Sequence, residues 1–280
     1  MKIIDFRVRP PLPGVQDLVY FKQPEKFVNF NRKLGFEPAP SALEQSIDML
    51  FAEMDSVGVE RGVIIGRVSG ALGNTDNDGI LKVCQTYPDR FSGFAAVDPL
   101  DRRKAMEEIE RCAKMGLKGL NIEPGQYRIP LMADDRRLYP IYALCDDLDL
   151  PIVLMTGGNP GPDLSYTFPV ALDRVAADFP SLKIIVSHGN WPWVHEALHI
   201  AFRRPNVYLS PDMYLFGLPG SADYVLAADT YLQDQFIYAS AYPLTPLKPY
   251  AEKFLELPIR PESMEKVVYK NAARLLKLDA

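Results

Sequence analysis

Cysteine, histidine and tryptophan are scarce in this sequence, and the scarcity of cysteine excludes a class of protein. The chain has 280 residues, of which three are cysteine, three histidine and two tryptophan. Cys84, Cys112 and Cys145 are widely spaced, odd in number and form no CxxC pair. We therefore expect neither a disulfide framework nor a structural zinc site. We expect instead three buried thiols in a reducing compartment.

An excess of positive charge and long apolar runs are also lacking. Lysine and arginine number 31 against 36 aspartates and glutamates, whereas a nucleic-acid-binding protein shows a basic face. No apolar run reaches 18 residues, so no transmembrane helix is expected. Residues 1–6 look like a strand and are too short and polar for a signal peptide. We therefore expect a cytoplasmic protein with neither nucleic acid nor a membrane as partner.

Glycine-rich nucleotide loops are absent as well. Neither GxGxxG nor GxxxxGK[ST] occurs in the chain. Those loops bring backbone amides close to the phosphates of a nucleotide. The usual nucleotide cofactors are thus excluded, and we expect the protein to use no cofactor.

What the sequence does contain is a repeated alternation of strand and helix patterns. Eight short apolar runs, each bounded by Gly, Pro or charge, are followed by amphipathic segments. Fully apolar strands that alternate with helices predict a parallel sheet covered by helices, and eight such units favour a closed (β/α)8 TIM barrel. No linker or repeat interrupts residues 1–280, so a single domain is predicted. The predicted strands are 2–6, 62–65, 91–97, 119–122, 151–154, 182–186, 206–209 and 236–239.

One long segment, residues 15–40, interrupts the alternation after the first strand. Three prolines and Gly14 precede it and prevent regular structure. The segment shows no clean period but carries five aromatic residues. We interpret it either as a lid over the barrel entrance or as a surface insertion that packs its own aromatics. These residues are Tyr20, Phe21, Phe27, Phe30 and Phe36.

The helix that follows is predicted to begin at Ser41. The Ser41-Ala42-Leu43-Glu44 sequence matches a capping box, in which the serine and glutamate side chains satisfy amides of the first turn. Residues Leu43, Ile47, Leu50 and Met54 then share one helical face.

Polar side chains follow the predicted strands, and in barrel enzymes the chemistry lies at that end. His188 ends the sixth strand abruptly and has polar or small neighbours. Three arginines at one mouth would repel each other unless an anion or carboxylates lay between them. Glu123 and Asp212 could supply those carboxylates in a purely structural network, so both interpretations stay open. The strand-end residues are Arg7, Arg9, Arg67, Asn121, Glu123, Met155, Thr156, His188, Asp212, Tyr214, Ser240 and Tyr242.

Four motifs carry a resemblance to a known family. They are DRRLYPIY at 135–142, LMTG at 154–157, HGNWPW at 188–193 and YASAYP at 238–243. Together they resemble the amidohydrolase superfamily, in its amidohydrolase-related branch of decarboxylases and lactonases. The HGNWPW motif, which resembles HGxxPW of the branch, is the most specific of them. The resemblance extends over nearly the whole chain and implies the same TIM-barrel fold.

The chain departs from that family at its metal ligands. The family's DxHxH signature reads Asp5-Phe6-Arg7-Val8-Arg9 here, so arginine stands at both histidine positions. Met155 replaces the strand-five histidine and Ala241 the strand-eight aspartate. A catalytic metal needs about three protein ligands, and a guanidinium group supplies no lone pair. We therefore predict that the site binds an anion and no catalytic metal.

These residues lead to a hypothesis of a metal-independent hydrolase acting on lactones or esters of a small carboxylated or otherwise anionic substrate. Arginines can stabilise an oxyanion without a metal, and imidazole transfers protons near neutral pH. A decarboxylase or other lyase of the same branch is the alternative. A catalytically silent relative that binds a small anion is a further alternative. Assembly with copies of itself is also compatible with the sequence, so a homo-oligomer is one of the expected states.

Roles follow from this hypothesis for each candidate residue. His188 would transfer protons, Asp212 or Glu123 would orient it or act as the base, and Tyr242 would polarise a carbonyl. The predicted substrate-binding residues are Arg7, Arg9, Arg67, Asn121, Thr156 and Tyr214, and no metal-binding residue is predicted.

Overall fold

The computed structural model describes residues 1–158 and 160–278, and its centre is a curled parallel sheet. Its strands follow one another in chain order, each hydrogen-bonded to the next in parallel. This order, with a helix after nearly every strand, is that of a TIM barrel, as predicted. The strands are β1 (Ile3–Val8), β2 (Val59–Ile65), β3 (Phe91–Ala96), β4 (Gly119–Ile122), β5 (Ile152–Met155), β6 (Ile184–Ser187) and β7 (Val207–Ser210).

Amphipathic helices cover the sheet, and none in the described ranges is long and apolar enough to cross a bilayer. A π-helical turn at Lys266–Lys270 separates the last two helices along the chain. The helices are α1 (Val19–Lys22), α2 (Pro24–Lys33), α3 (Pro40–Leu43), α4 (Ile47–Val57), α5 (Asn77–Thr86), α6 (Arg102–Lys114), α7 (Tyr139–Asp147), α8 (Pro169–Asp178), α9 (Val194–Arg203), α10 (Ser221–Asp229), α11 (Leu247–Leu255), α12 (Pro261–Glu265) and α13 (Asn271–Leu276).

The predicted eighth strand lies between β7 and β1 but does not form a continuous ladder. Residue 236 bridges Leu209 on one side, and the amide of Phe6 donates to the carbonyl of Tyr238 at 3.1 Å on the other. The amide of Tyr238 is diverted to the carbonyl of Val267, at 3.1 Å, in the π-helical turn. The Asp5 carboxylate accepts the amide of Ser240 at 2.9 Å. The barrel is therefore closed at this seam by isolated backbone bonds and one side chain.

Two apolar cores lie on opposite faces of the strands. Alternate residues such as Ile64, Leu154 and Val186 pack in a large core with the apolar faces of the helices. Their chain neighbours Val63 and Val153 belong to a second, smaller core, to which nearly every strand contributes. Because strand side chains alternate between faces, the second core fills the barrel interior. It leaves the polar strand ends above it as the lining of the mouth.

The segment 15–40 is more ordered than its sequence pattern indicates. It contains α1 and α2, and α2 is fixed to the barrel by a buried polar side chain rather than by apolar periodicity alone. The Asn31 Nδ2 donates to the carbonyl of Leu244 at 3.0 Å. Phe27 is buried in the large core, and Phe30 meets Tyr214 edge to face at 6.5 Å. These aromatics therefore pack on the barrel mouth.

The predicted capping box at Ser41 is also wrong. Ser41 lies inside the short α3, and its hydroxyl and amide bind the Glu53 carboxylate at 2.7 and 3.1 Å. The cap of the long helix is Ser46, whose Oγ accepts the amide of Met49 at 3.3 Å. Leu43, placed by the prediction on the buried face, is 46% exposed.

Gly119 on β4 provides a test of how tightly the barrel is packed. A Cβ at this position would lie 2.3 Å from Cε1 of Phe94 and 2.4 Å from the carbonyl oxygen of Pro151. Because the second of these atoms is backbone, Gly119→Ala should destabilise the protein by about 1–3 kcal/mol. Gly70→Ala, whose nearest atom lies at 3.7 Å, should stay within about 0.5 kcal/mol of wild type. Equal urea midpoints for the two variants would contradict this packing.

Candidate active site

A buried cluster of three arginines around one glutamate lies at the C-terminal end of the sheet. The Glu123 carboxylate is 2.8 Å from Nε of Arg67, 3.3 Å from Nη2 of Arg9 and 3.7 Å from Nη2 of Arg7. The Asn121 amide donates to Glu123 Oε1 at 2.9 Å and to the carbonyl of Gly66. All of these side chains are buried. The structure thus brings together residues from the ends of β1, β2 and β4.

Electrostatics fix the charge state of this cluster. Burial alone would raise the pKa of Glu123, but the charges of Arg67, Arg9 and Arg7 outweigh it and lower that pKa to about 2. Burial, and then the charges of Arg67 and Arg7, lower the pKa of Arg9 to about 9, which still leaves it protonated at neutral pH. Glu123 is consequently a counter-ion for the arginines and a poor proton acceptor.

A histidine–aspartate pair lies beside the cluster. The Nδ1 of His188 is 2.8 Å from Oδ1 of Asp212, and the His188 amide donates to Oδ2 at 3.2 Å. Arg7 connects the pair to the cluster, because its Nε is 3.9 Å from Asp212 and its Nη1 donates to Ser187. Burial lowers the pKa of His188 and Arg7 lowers it further, while Asp212 opposes both effects. With Nδ1 turned to Asp212, Nε2 is the ring nitrogen available to a ligand.

The backbone is strained at the ends of the last strands. His188, Asn190, Asp212 and Ala241 all have φ between +41° and +64°. Residues other than glycine rarely adopt this left-handed region, and such strain clusters at functional sites. At His188 and Asp212 the bends bring the two side chains within hydrogen-bonding distance of each other.

A cavity of about 300 Å³ opens onto these groups. His188 and Arg67 lie on its wall, and Tyr20 and Phe30 of the segment 15–40 cover it. The Tyr20 hydroxyl accepts a hydrogen bond from Nη1 of Arg67. The described residues that line it are Val19, Tyr20, Lys26, Phe30, Arg67, Ala71, Leu72, Gln126, Met155, Gly157, His188, Met213, Tyr214 and Leu244.

Two predicted site residues are not brought to the cavity. The Tyr242 hydroxyl lies 3.0 Å from Oγ of Ser41, toward α3, so its position does not fit the predicted role of polarising a carbonyl. The Thr156 hydroxyl donates to Oδ1 of Asn190 instead of facing a ligand. Of the other predicted residues, His188, Arg67 and Tyr214 line the cavity. The rest are joined to His188 or Arg67 by the hydrogen bonds and ion pairs described above, and they are Arg7, Arg9, Asn121, Glu123 and Asp212. Prediction missed Tyr20, because its place on the wall depends on how the segment 15–40 folds back.

Asp5 is a further residue that prediction from the strand ends overlooked. Its Oδ1 accepts the amides of Arg7 and Ser240 at 3.1 and 2.9 Å. Burial raises its pKa to about 7, against the lowering effect of the bonds from Ser240 and Arg7. Asp5 therefore joins β1 to the seam and titrates near neutral pH.

The residues at the family's metal positions do not fit a metal ion. Arg7 and Arg9 point guanidinium groups at Glu123, where they supply positive charge but no lone pair. The thioether of Met155 accepts a hydrogen bond from Arg7 at 3.8 Å, and Ala241 has no ligating atom. Hard cations such as Mn²⁺ and borderline Zn²⁺ are poorly held by such a set. The positive charge at the family's metal positions is therefore supplied by the guanidinium groups of Arg7 and Arg9.

The fold and site define a TIM-barrel protein with a buried acid–base pair beside a cationic cavity. The family model described as amidohydrolase matches residues 34–278, and the chain belongs to this family. The resemblance inferred from the four motifs is thereby confirmed.

Three similar proteins illustrate the range of relatives. An uncharacterised TIM-barrel protein from Bordetella bronchiseptica is 49% identical, with 99% of each chain covered and a TM-score of 0.97. The gamma-resorcylate decarboxylase of a Polaromonas species is 24% identical over 72% of this chain and 75% of its own length. A 2-keto-4-carboxy-3-hexenedioate hydratase of a Sphingobium species is 29% identical over 40% of this chain, and the match spans only 39% of that hydratase.

More distant solved structures share the fold. The structure of 2,6-dihydroxybenzoate decarboxylase from Rhizobium has a TM-score of 0.72 at 19% identity, with 100% of both chains covered.

The donor set predicts the metal content of the purified protein. With Arg7, Arg9, Met155 and Ala241 in the family's ligand positions, it should carry no stoichiometric transition metal, because these groups cannot replace imidazole and carboxylate. Elemental analysis before and after chelation measures this. One Zn or Mn per chain, lost on chelation together with activity, would contradict the prediction.

Asp5 should make stability depend on pH. Its pKa is about 7 in the folded protein and about 4 in an unfolded chain. The folded state therefore binds more protons between these values, and this residue's contribution to stability declines as pH rises through that window. Asp5→Asn removes the titration, so the stability of wild type relative to the variant should fall between pH 4 and 7.5. Urea midpoints measured across that range test this, and parallel curves for the two proteins would refute it.

Proposed function

We propose that this protein is a lyase that decarboxylates a small, planar carboxylic acid, with His188 as the proton-transfer group and without a metal ion. The observation that carries the proposal is the meeting of Arg67 and His188 on one cavity wall, with Asp212 behind the imidazole. An anion held by the arginines then lies within reach of an imidazole, the side chain that most often transfers protons in enzymes. Relatives named as decarboxylases support a lyase over the hydrolase expected from sequence.

Substrate binding rests on the surplus of positive charge. Three guanidinium groups face the carboxylates of Glu123 and Asp212, one positive charge more than the two acids balance, and Asp5 offsets it only in part. An oxygen anion of the substrate completes this balance through charge-assisted hydrogen bonds. Because the arginines are held rigidly by Glu123, little entropy is lost when they bind it.

The proton transfer follows from the position of the imidazole. In its protonated form, His188 donates a proton to the substrate carbon that carries the carboxylate. The bond between that carbon and the carboxylate then breaks, and its electron pair restores the unsaturated system as CO₂ leaves. One proton enters and one CO₂ departs, so the reaction balances without an oxidant. Asp212 holds the ring in place and stabilises the imidazolium form before transfer.

Hydrolysis of a lactone is the second candidate, and one observation favours it. Burial and Arg7 lower the pKa of His188, so at neutral pH the ring is mostly a base that could activate water, while an arginine stabilises the oxyanion. The two candidates demand opposite protonation states of the same residue. Decarboxylation requires imidazolium, so kcat/KM should fall as pH rises past the lowered pKa. Hydrolysis requires the neutral ring, so kcat/KM should rise and level off.

His188→Asn tests the proposal directly. Loss of a general acid lowers kcat by about 10²–10⁴-fold, while KM should stay within a few-fold because the arginines remain. CO₂ release from 2,6-dihydroxybenzoate and from hydroxylated benzene dicarboxylates, followed between pH 5 and 9, supplies the rates. The matched control is His195→Asn, because the side chain of His195 is 79% exposed on α9 and should not affect turnover.

Three outcomes would overturn this function. If the His188→Asn protein keeps both its melting temperature and its turnover, the histidine has no part in the mechanism. If the wild-type protein binds carboxylates but turns over neither aryl carboxylates nor lactones, it is the non-catalytic anion-binding relative. A profile that rises with pH on lactones would select the hydrolase.

A further inference from the structure

The cavity is lined by two cationic residues that differ in burial. One is Arg67, which is buried and backed by the other two arginines of the cluster. The other is Lys26, an exposed residue contributed by α2 of the segment 15–40. No aspartate or glutamate occurs among the described residues that line it. Two lining cations without a lining acid favour an anionic ligand.

The position of Lys26 is fixed by the residues around it on α2. Phe27 is buried, and the Asn31 amide donates to the carbonyls of Pro243 and Leu244 at 3.3 and 3.0 Å. These anchors hold the helix across the mouth. Lys26 and Phe30 are four residues apart and share a helical face, and both line the cavity. The orientation of the anchored helix α2 therefore places Lys26 at the cavity.

Lys26 also lacks a partner of its own. Within residues 1–158 and 160–278 its ammonium group makes no ion pair, whereas Lys22, one turn earlier, pairs with Asp17 at 2.8 Å. An exposed lysine without a partner is common on protein surfaces. What distinguishes this one is that it lines the same cavity as Arg67.

Aromatic rings line the same cavity as the two cationic residues. Tyr214 stacks on Trp191 with centroids 5.1 Å apart and an interplanar angle of 17°, which holds the ring in position. Tyr20 and Phe30 cover the other side. Flat aromatic faces favour a planar, unsaturated ligand, and a volume of about 300 Å³ is at the small end of ligand pockets.

We propose that the substrate carries two carboxylates on a planar, unsaturated frame, and that Lys26 is the residue that selects for the second one. The first carboxylate, or an acidic hydroxyl beside it, faces Arg67 and His188, and the second faces Lys26. This inference rests on the function proposed for the same site, but it concerns recognition and not turnover. Lys26 acts as a specificity-determining residue that takes no part in proton transfer.

Binding of two small probes tests the inference without any need for catalysis. Benzoate carries one carboxylate, and benzene-1,3-dicarboxylate carries two on the same ring. Wild-type protein should bind the dicarboxylate about five- to tenfold more tightly, as expected for a partly solvated ion pair. In Lys26→Met this preference should fall to near one while benzoate affinity stays unchanged. Isothermal titration calorimetry measures all four affinities.

Lys33→Met is the matched control, because Lys33 is an exposed lysine on the same helix and does not line the cavity. It removes the same net charge from the protein, so it should leave the preference for the dicarboxylate intact. Lys26→Arg, which keeps the charge, should retain most of that preference.

Each remaining outcome overturns the inference. These are equal affinities for the two probes in wild type, a parallel loss for both probes in Lys26→Met, the same effect from Lys33→Met, and binding of neither probe. Failure of the proposed function looks different, because tight, Lys26-dependent binding of the dicarboxylate could accompany a complete lack of CO₂ release.

Discussion

The ion pairs of Glu123 with three arginines are the interaction on which the mouth of this barrel depends. Arg7, Arg9 and Arg67 come from two different strands and would repel one another strongly in a buried, weakly polarisable environment. One carboxylate, held in turn by Asn121, keeps them together. Removal of one partner from such a buried network typically costs about 3–5 kcal/mol. The arginines are therefore held in place before a ligand arrives, and at neutral pH their positive charge exceeds the negative charge of Glu123.

Most of the fold could be predicted because it depends on local pattern. Apolar runs bounded by breakers located the first seven strands to within a few residues. The eighth failed because a tertiary contact, the bond from the Tyr238 amide to Val267, takes the donor that a ladder needs. The helix α2 was missed because a buried asparagine fixes it, and Ser41 was mistaken for a cap because its hydroxyl binds a distant glutamate.

The part of the site that lies at the C-terminal ends of the strands could be predicted, because TIM-barrel enzymes keep their chemistry there. That rule placed the arginines, Glu123, His188 and Asp212 at one mouth, since parallel strands end at the same edge. It could not place Tyr20 and Lys26, whose positions depend on how an insertion folds back. It misplaced Tyr242, because the chain turns at Ala241, with φ of +64°, and directs the hydroxyl to Ser41. The positions of the strand-end residues could not distinguish hydrolysis from decarboxylation, since one imidazole can serve in either reaction.

The seam between β7 and β1 has fewer backbone hydrogen bonds than the rest of the barrel. The pairs from β2 to β7 have unbroken registers and the β1–β2 pair has two register shifts, whereas closure between β7 and β1 depends on isolated amides and the Asp5 carboxylate. Segments held by few backbone bonds are the first to open in local unfolding. Asp5 also binds the amide of Arg7, so an opening of the seam would move an arginine of the cluster. Asp5 thus links the sparsely bonded seam of the barrel to the arginine cluster at its mouth.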